Sequence, residues 1–526
     1  MGLWKKLLGN KGEKKQQEGT SPHKNIDTNL KAIKDIFEDC DDIVYREIEV
    51  GVDSKIKAAL IYVDGMADKF LLNDFILDNI MVSIRTTPPK AENVKKQLAS
   101  HLKDHTLAVS EMKEVETIEE GIDNILSGET VLLLDEYDKI IIIASKGWQA
   151  RGVSEPVTET VIRGPRDGFV ETFRVNTALI RRRIRDPKLK LKTQQVGVRS
   201  KTDLAILYID DIVDKRILKE VESRIEKIDM DAILDSGYVE QLIEDNWFSP
   251  FPQVQNTERP DVTAAALYEG RIVIIADNSP FALIVPTTLN SMLQSSEDYY
   301  ERWNIATAVR LLRYFAAFVS LILPSLYVAI TSFHPQMIPT KLTLALAANR
   351  KGVPFPAIVE ALIMETTIEL LREAGVRLPG PIGATIGIVG GLVIGQAAVE
   401  AGIVAPLMVI IVAITAIASF AIPSYNVAIG FRLLRFLFIF AAGFLGLYGV
   451  ILAILLLLSH LCSLKSFGIP YLHPFVNFVD DIGDMKDTFV RAPMPSMNNR
   501  ETVGNKKQKN RLDDKREEFR YEKEDK

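Results

Sequence analysis

The chain is predicted to be an α/β protein in its front half, made of two duplicated subdomains, followed by an all-α polytopic membrane domain. Three observations lead to this fold class. Charged and apolar residues make up 25% and 47% of the 526 residues, and they occupy different regions. Residues 1–310 alternate short apolar runs with charge, 314–460 hold four long apolar runs, and 480–526 are almost wholly polar. The pattern "ALIYVDGMADK" (59–69) returns as "AILYIDDIVDK" (205–215). Finally, a bilayer core needs about 20 apolar residues of helix, and four runs reach that length.

Residues 1–29 are a basic, polar lead with the composition of a disordered tail. Its apolar part is too short for a signal peptide, so the front half is expected in the cytoplasm. The first α/β subdomain is placed at 30–150 and the second at 190–295. Within the repeat, Tyr62 matches Tyr208, Asp64 matches Asp210, Asp68 matches Asp214 and Lys69 matches Lys215. A second echo pairs "LLLDEYDKIIIIAS" (132–145) with "AALYEGRIVIIADN" (265–278). Each copy reads as a β-rich run leading into a helix, as in 203–228. The repeated Asp pairs sit at strand-to-helix junctions, where acids cap helices and meet the positive dipole end. A metal or catalytic pair is the competing reading.

Residues 151–189 are expected to be a basic linker. Arg163, Arg166, Arg174, Arg181, Arg182 and Arg183 alternate there with Glu155, Glu159, Asp167 and Glu171. An ion-pair network between the subdomains is one account. A face for anionic lipid or for a partner protein is the other.

The membrane domain is placed at 296–475, with spans at about 314–333, 381–400, 403–422 and 436–459. Pro324 is expected to kink the first. Arg302, Arg310 and Arg313 precede it and would hold the N-terminal half inside. The segment 354–375 is too polar to face lipid all round, because Glu365, Glu369, Arg372 and Glu373 share one stripe. Each charge at the bilayer centre costs roughly 2.5–3.5 kcal/mol. It is therefore expected to be an amphipathic or re-entrant helix, lying at the interface or walling a polar pathway. Gly383, Gly387, Gly391 and Gly395 form a ridge in the second span. Such ridges serve close helix packing or leave bare backbone along a pore. Gln396 and Glu400 follow, marking either the membrane edge or a cation-attracting mouth. A charged C-terminal tail fills 476–526.

Several functions are disfavoured. The net charge is −6, with no uniformly basic region, so no nucleic-acid partner is expected. Two cysteines, Cys40 and Cys462, imply no disulfide framework. No phosphate loop, zinc spacing or nucleophile triad is present in the sequence. No catalytic residue, metal or cofactor is expected. A secondary transporter ranks low, since the paired broken helices of inverted repeats are missing from the pattern.

Longer motifs add a resemblance. "EPVTETVIRGPRDGFVETFRVNTALIRRR" (155–183), the stretch from "SFHPQMIPTKLTLALAANRKG" (332–352) through "PIGATIGIVGGLVIGQAAVEAG" (381–402) to Phe420, and "NVAIGFRLLRF" (426–436) resemble the A subunits of the spore germinant receptors. With the duplicated half, the likeness covers about 30–490. Gly380 and Ala384 depart from the usual larger residue and Gln. The resemblance implies a cytoplasmic region of two related subdomains and a membrane domain in the spore inner membrane. It implies assembly with a transporter-like B subunit and a C-subunit lipoprotein. It also implies a homo-oligomer, surrounded by membrane lipid, that forms a nutrient-gated ion channel and starts ion release. A non-pore scaffold or signalling subunit remains an alternative, as does a paralogous group linked to dipicolinate release.

Overall fold

The computed structural model describes residues 20–50, 56–72, 112–147, 155–377, 391–476 and 487–500, apart from positions 157, 392 and 498, together with Arg511. The front half forms two five-stranded antiparallel sheets of one topology. In the first, helix α1 (Ile26–Ile36) precedes strands β1 (Ile43–Val50), β2 (Ile56–Val63), β3 (Met112–Val115), β4 (Thr130–Leu134) and β5 (Ile140–Ile143). Helix α2 (Ile118–Leu126) stands between β3 and β4. In the second, helix α3 (Phe173–Arg183) precedes β6 (Leu189–Val196) and β7 (Thr202–Ile209). Helices α4 (Lys215–Glu226), α5 (Ser236–Ile243) and α6 (Pro260–Tyr268) surround β8 (Gln255–Thr257), β9 (Ile272–Ala276) and β10 (Ala282–Val285). The strand orders are β1-β2-β4-β5-β3 and β6-β7-β9-β10-β8. Runs such as "IIII" in β5 and "IVIIA" in β9 are buried at every position, since both faces of each sheet are covered.

The repeat reaches further than the sequence pattern. Asn29 on α1 accepts from His23 N–H at 2.7 Å and donates to His23 C=O at 2.6 Å. Asn176 on α3 makes the same two bonds to Val170, at 2.8 and 2.5 Å. Asp135 accepts from the first N–H of α1 and Asp277 from the first N–H of α3. The expected linker 151–189 therefore contains the opening helix of the second repeat. The second echo is also shifted. Gly128 and Gly270, with φ of 94° and 86°, end α2 and α6 and lead into β4 and β9. A left-handed residue after a helix favours glycine, and this pair fixes the true alignment.

The repeated aspartates are structural. Asp68 accepts from Phe70 N–H at 2.9 Å, and Asp214 accepts from Arg216 N–H at 2.8 Å, each capping the following turn. Asp64 pairs with Lys69 at 2.7 Å, and Asp210 pairs with Lys215 in the same way.

The C-terminal half is helical. Short helices α7 (Leu289–Leu293) and α8 (Glu297–Tyr300) lead into α9 (Trp303–Phe333), then α10 (Thr340–Arg350), α11 (Ala357–Arg377), α12 (Pro406–Phe420) and α13 (Tyr425–Ser463). By length and composition, α9 and the 39-residue apolar run of α13 are long enough to cross a membrane. The fourth expected span, 436–459, is interrupted. Gly446 adopts φ 60° and ψ −142° inside α13. A Cβ at Gly449 would lie 2.1 Å from the Ala441 carbonyl oxygen, so the chain doubles back there. Residues 425–445 and 447–463 are thus two legs of a helical hairpin.

The legs set the direction of the bundle. Phe251 of the second subdomain packs on Phe431 of the first leg and on His460 of the second, with ring centroids at 5.6 and 6.3 Å. The tip, Gly446, approaches Phe333 and His334 at the far end of α9. Helix α11 runs back from tip to base: Ile358 abuts Gly443, and Arg372 reaches Ser419. The segment expected to be an amphipathic or re-entrant helix is thus packed within the bundle. Ala357, Ala361 and Met364 belong to the bundle core, and α11 lies alongside α9 and the first leg.

Strands β11 (Lys465–Ser466) and β12 (Ile469–Pro470) form a small hairpin that returns to the second subdomain. Phe467 N–H donates to Asp245 at 2.7 Å there.

Candidate functional site

A cluster of charge lies inside the apolar bundle, and proline chemistry helps to build it. Pro324 lacks an N–H, so the carbonyl of Ser320, one turn earlier, loses its helical donor. An unsatisfied buried carbonyl is costly. Arg435 on the first leg of α13 fills the gap: its Nε donates to that carbonyl at 2.7 Å. The helix continues through Pro324. The Nη1 of Arg435 donates to Glu365 Oε2 at 2.6 Å, with both side chains 3% exposed.

One turn toward the base, Arg372 pairs with Glu369 at 3.3 Å and donates to the Ser419 hydroxyl at 3.2 Å. Arg432 approaches Glu369 at 3.8 Å. The guanidinium of Arg372 lies over Phe420 and that of Arg432 over Tyr425, at 5.0 and 5.6 Å from the ring centroids. Helices α9, α11, α12 and α13 all contribute. Three arginines face two glutamates, so the cluster carries one net positive charge. Arg372 Nε, Arg432 Nε, Arg435 Nη2 and Glu365 Oε1 have no hydrogen-bond partner among the described residues. Pairing offsets much of the cost of burying these charges, and the open N–H donors leave capacity to bind a water or an anion.

A second buried acid lies nearer the tip. Glu360 accepts from Arg350 at 2.9 Å and from Ala405 N–H, at the start of α12, at 2.9 Å. The carboxylate meets the positive end of that helix. Glu360 is not among the stripe residues Glu365, Glu369, Arg372 and Glu373, and only tertiary packing brings Arg350 and Ala405 to it.

The sequence-predicted site residues divide into separate places. Glu365 and Glu369 are in the cluster. Gln396 donates to Glu400 at 2.8 Å on an exposed helical face, apart from it. Gly383 and Gly387 lie outside the described residues. A Cβ on Gly391 would meet nothing within 4 Å among the described residues, and one on Gly395 would make ordinary contact with Val409. Within the chain, close helix approach occurs instead at Gly443 and Gly449, where a Cβ would come within 2.1 Å of a neighbour.

The six arginines also divide. Arg181 donates to Asp42 at 2.6 and 2.9 Å with both side chains buried, and Arg174 reaches Asp64 at 3.4 Å. These two join the repeats. Arg183 pairs with Asp167 at 2.6 Å, and Arg166 pairs with Glu155 at 3.3 Å, both within the segment. Arg182 is half-buried, and Arg163 is exposed. The Arg163 backbone N–H and that of Ile162 donate to Glu297, just before α9.

A second charged joint fixes the base of α9. Asp298 accepts from Arg310 at 3.2 Å and from Arg313 at 2.8 Å, and Arg310 also binds Asp487 at 2.8 Å. Among the described residues, no group of His, Cys, Asp and Glu is arranged to hold a metal ion. Cys40 and Cys462 are free thiols.

Comparisons with known proteins agree on one family. The family model for the Bacillus/Clostridium GerA spore germination protein matches residues 31–503. Spore germination protein KA of Bacillus subtilis is 45% identical over 86% of this chain and 81% of its own length. Spore germination protein GerLA of Bacillus cereus is 43% identical over 90% of this chain and 94% of its own. Among solved structures, the N-terminal domain of the A subunit of the Bacillus megaterium spore germinant receptor GerK3 is 31% identical. It covers 51% of this chain and 97% of that one, with a TM-score of 0.40. With a family model spanning nearly the whole chain and relatives above 40% identity along most of it, this chain belongs to the GerA family of spore germination proteins.

Proposed function

We propose that this chain is the A subunit of a nutrient germinant receptor and forms an ion pathway in the inner membrane of the spore. Its helical half lies in the bilayer and its two repeats lie in the cytoplasm. Several copies assemble around the pathway with a transporter-like B subunit and a lipoprotein C subunit. The observation that carries this reading is the cluster of Glu365, Glu369, Arg372, Arg432 and Arg435 inside an apolar bundle. Ionisable groups at that depth are expensive, and in membrane proteins they mark ion pathways or relays. The open backbone at Gly391 and the exposed Gln396–Glu400 pair support a second polar surface toward neighbouring copies.

The test is potassium release from cells carrying this chain with its B and C partners. Native chain is compared with Glu365→Gln, Glu369→Gln, Gly391→Leu and Glu400→Gln at matched membrane abundance. Nutrient-dependent release that changes in rate or selectivity supports the pathway. Unchanged release in all four variants would favour a scaffold that presents the repeats to partners. The closed Glu365–Arg435 pair at 2.6 Å is the observation on that side.

A further inference from the structure

We infer that Trp247 and Phe248 anchor the second subdomain in the interfacial layer of the bilayer, as a lipid-facing aromatic pair. The inference rests on the reading that the helical half is membrane-embedded.

Both side chains are 82% exposed, although they belong to a well-structured loop. Gln253 pins that loop, accepting from Asn246 N–H at 2.9 Å and donating to Asn246 C=O at 2.7 Å. Asn246 in turn accepts from Phe248 N–H at 3.1 Å. The rings meet edge to face at 5.7 Å, so the pair is presented as a unit. A fixed loop that holds two large aromatic side chains away from its own core leaves much apolar surface uncovered.

The position of the loop identifies the occupant. Ser249 is in hydrogen-bond contact with His460 at 3.0 Å, on the second leg of α13. A Cβ on Gly430 of the first leg would lie 2.7 Å from the Pro250 carbonyl oxygen. The aromatic pair thus sits at the base of both legs, where their lipid-length apolar surface begins. Ile429, Leu433 and Leu458 are exposed on those legs. Phe420 and Tyr425 are exposed at the same end of the bundle, at 72% and 56%. Tryptophan and tyrosine side chains concentrate at the level of lipid headgroups, where an apolar body and a polar edge both find partners, and phenylalanine adds buried apolar area on the acyl side. Trp247 and Phe248 stand at the same end of the bundle as these exposed side chains, next to Ser249 and Pro250 that touch both legs, which commits the occupant to phospholipid.

The test uses the full chain, with Trp4, Trp148 and Trp303 each replaced by Phe, so that Trp247 is the sole emitter. It is reconstituted in phosphatidylcholine–phosphatidylglycerol vesicles with acyl chains brominated near the carbonyl end. A parallel chain carries Trp247→Phe and the reporter Tyr448→Trp, at an exposed position close to the hairpin tip. Blue-shifted emission from Trp247 and loss of roughly half its intensity to bromine are expected, with the reporter also quenched. A quenched reporter beside an unquenched Trp247 that acrylamide reaches overturns the anchor and leaves the membrane reading intact. A Trp247 shielded from both bromine and acrylamide also overturns it, in favour of a contact with another copy of the chain. No quenching at either position overturns the membrane reading and the anchor together.

Discussion

Arg181 of the second repeat grips Asp42 of the first through two N–H donors, Nε at 2.6 Å and Nη2 at 2.9 Å, with neither side chain reaching solvent. Around this pair the repeats share backbone. Leu191 N–H donates to Asp39 C=O at 3.0 Å, and Asp41 N–H donates to Leu191 C=O at 2.9 Å. The two sheets are therefore joined by a charged clamp and short strand-like pairing. Removing the guanidinium leaves a carboxylate buried alone. Arg181→Ala is expected to destabilise the full chain in detergent by about 3–5 kcal/mol, read by denaturant unfolding. Arg181→Lys restores charge without the planar fork and recovers only part of this. Replacing both partners, as Arg181→Met with Asp42→Leu, recovers most of it. A single Arg181→Ala variant as stable as native would contradict the clamp.

Stability should also depend on pH through Glu159. Its carboxyl accepts from the Thr257 hydroxyl at 2.6 Å. Burial pushes it up to about 7 from the ordinary 4.5, with Glu258 and Asp261 adding repulsion against the pull of Thr257 and Arg259. Between about pH 4.5 and 7 the folded chain keeps a proton that the unfolded chain releases. Stability from this group therefore falls as pH rises through that window and levels off above it. One unit is worth about 1.4 kcal/mol, so the full effect is at most about 3.5 kcal/mol, and less with partial solvent access. Glu159→Gln should flatten the slope and exceed the native chain in stability above pH 7. A native-like slope in that variant would assign the effect elsewhere.

The reversal at Gly446 should tolerate no side chain. Its backbone lies where L-residues are strained, and a Cβ would stand 2.9 Å from that of Phe333. Gly446→Ala is expected to cost about 1–3 kcal/mol from strain, before any clash. Gly391→Ala meets no atom among the described residues, and alanine favours helix over glycine by up to about 1 kcal/mol. Thermal unfolding of the two variants in detergent should therefore move in opposite directions.

The buried pair in the bundle should separate stability from ion flux. Glu365→Ala leaves Arg435 with an unpaired charge and should cost about 3–5 kcal/mol. Combining Glu365→Leu with Arg435→Leu should return much of the stability while altering nutrient-dependent potassium release. A doubly substituted chain that is stable and releases potassium as the native chain does would remove the pair from the ion pathway.

Much of the fold was legible because it is local. Alternating and continuous apolar runs mark β2, β5, β7 and β9, and the shared "YxDxxxDK" spacing marks two equal strand-to-helix turns. The opening helix of the second repeat was missed, since "IDTNLKAIKDI" and "FRVNTALIRRR" share little beyond the asparagine at their fourth positions. That asparagine was the available signal. It works by bonding back to the residue six before it, and periodicity does not register such a bond. The candidate site was half legible. Glu365 and Glu369 stand out as charges in an apolar helix, and Pro324 stands out in α9. Nothing local connects them.

The sequence by itself determined the segregation of charge from apolar surface, the duplication of the front half, and the presence of costly charges among lipid-length helices. These are properties of composition and spacing along the chain. Only the tertiary structure decided that the last apolar run folds back at Gly446, that the linker arginines clamp one repeat to the other, and that Arg435 serves both Ser320 and Glu365. Those partners lie 115 and 70 residues away. A buried donor is satisfied by whichever acceptor the packing brings within about 3 Å, and that choice belongs to the assembled helices rather than to any stretch of sequence.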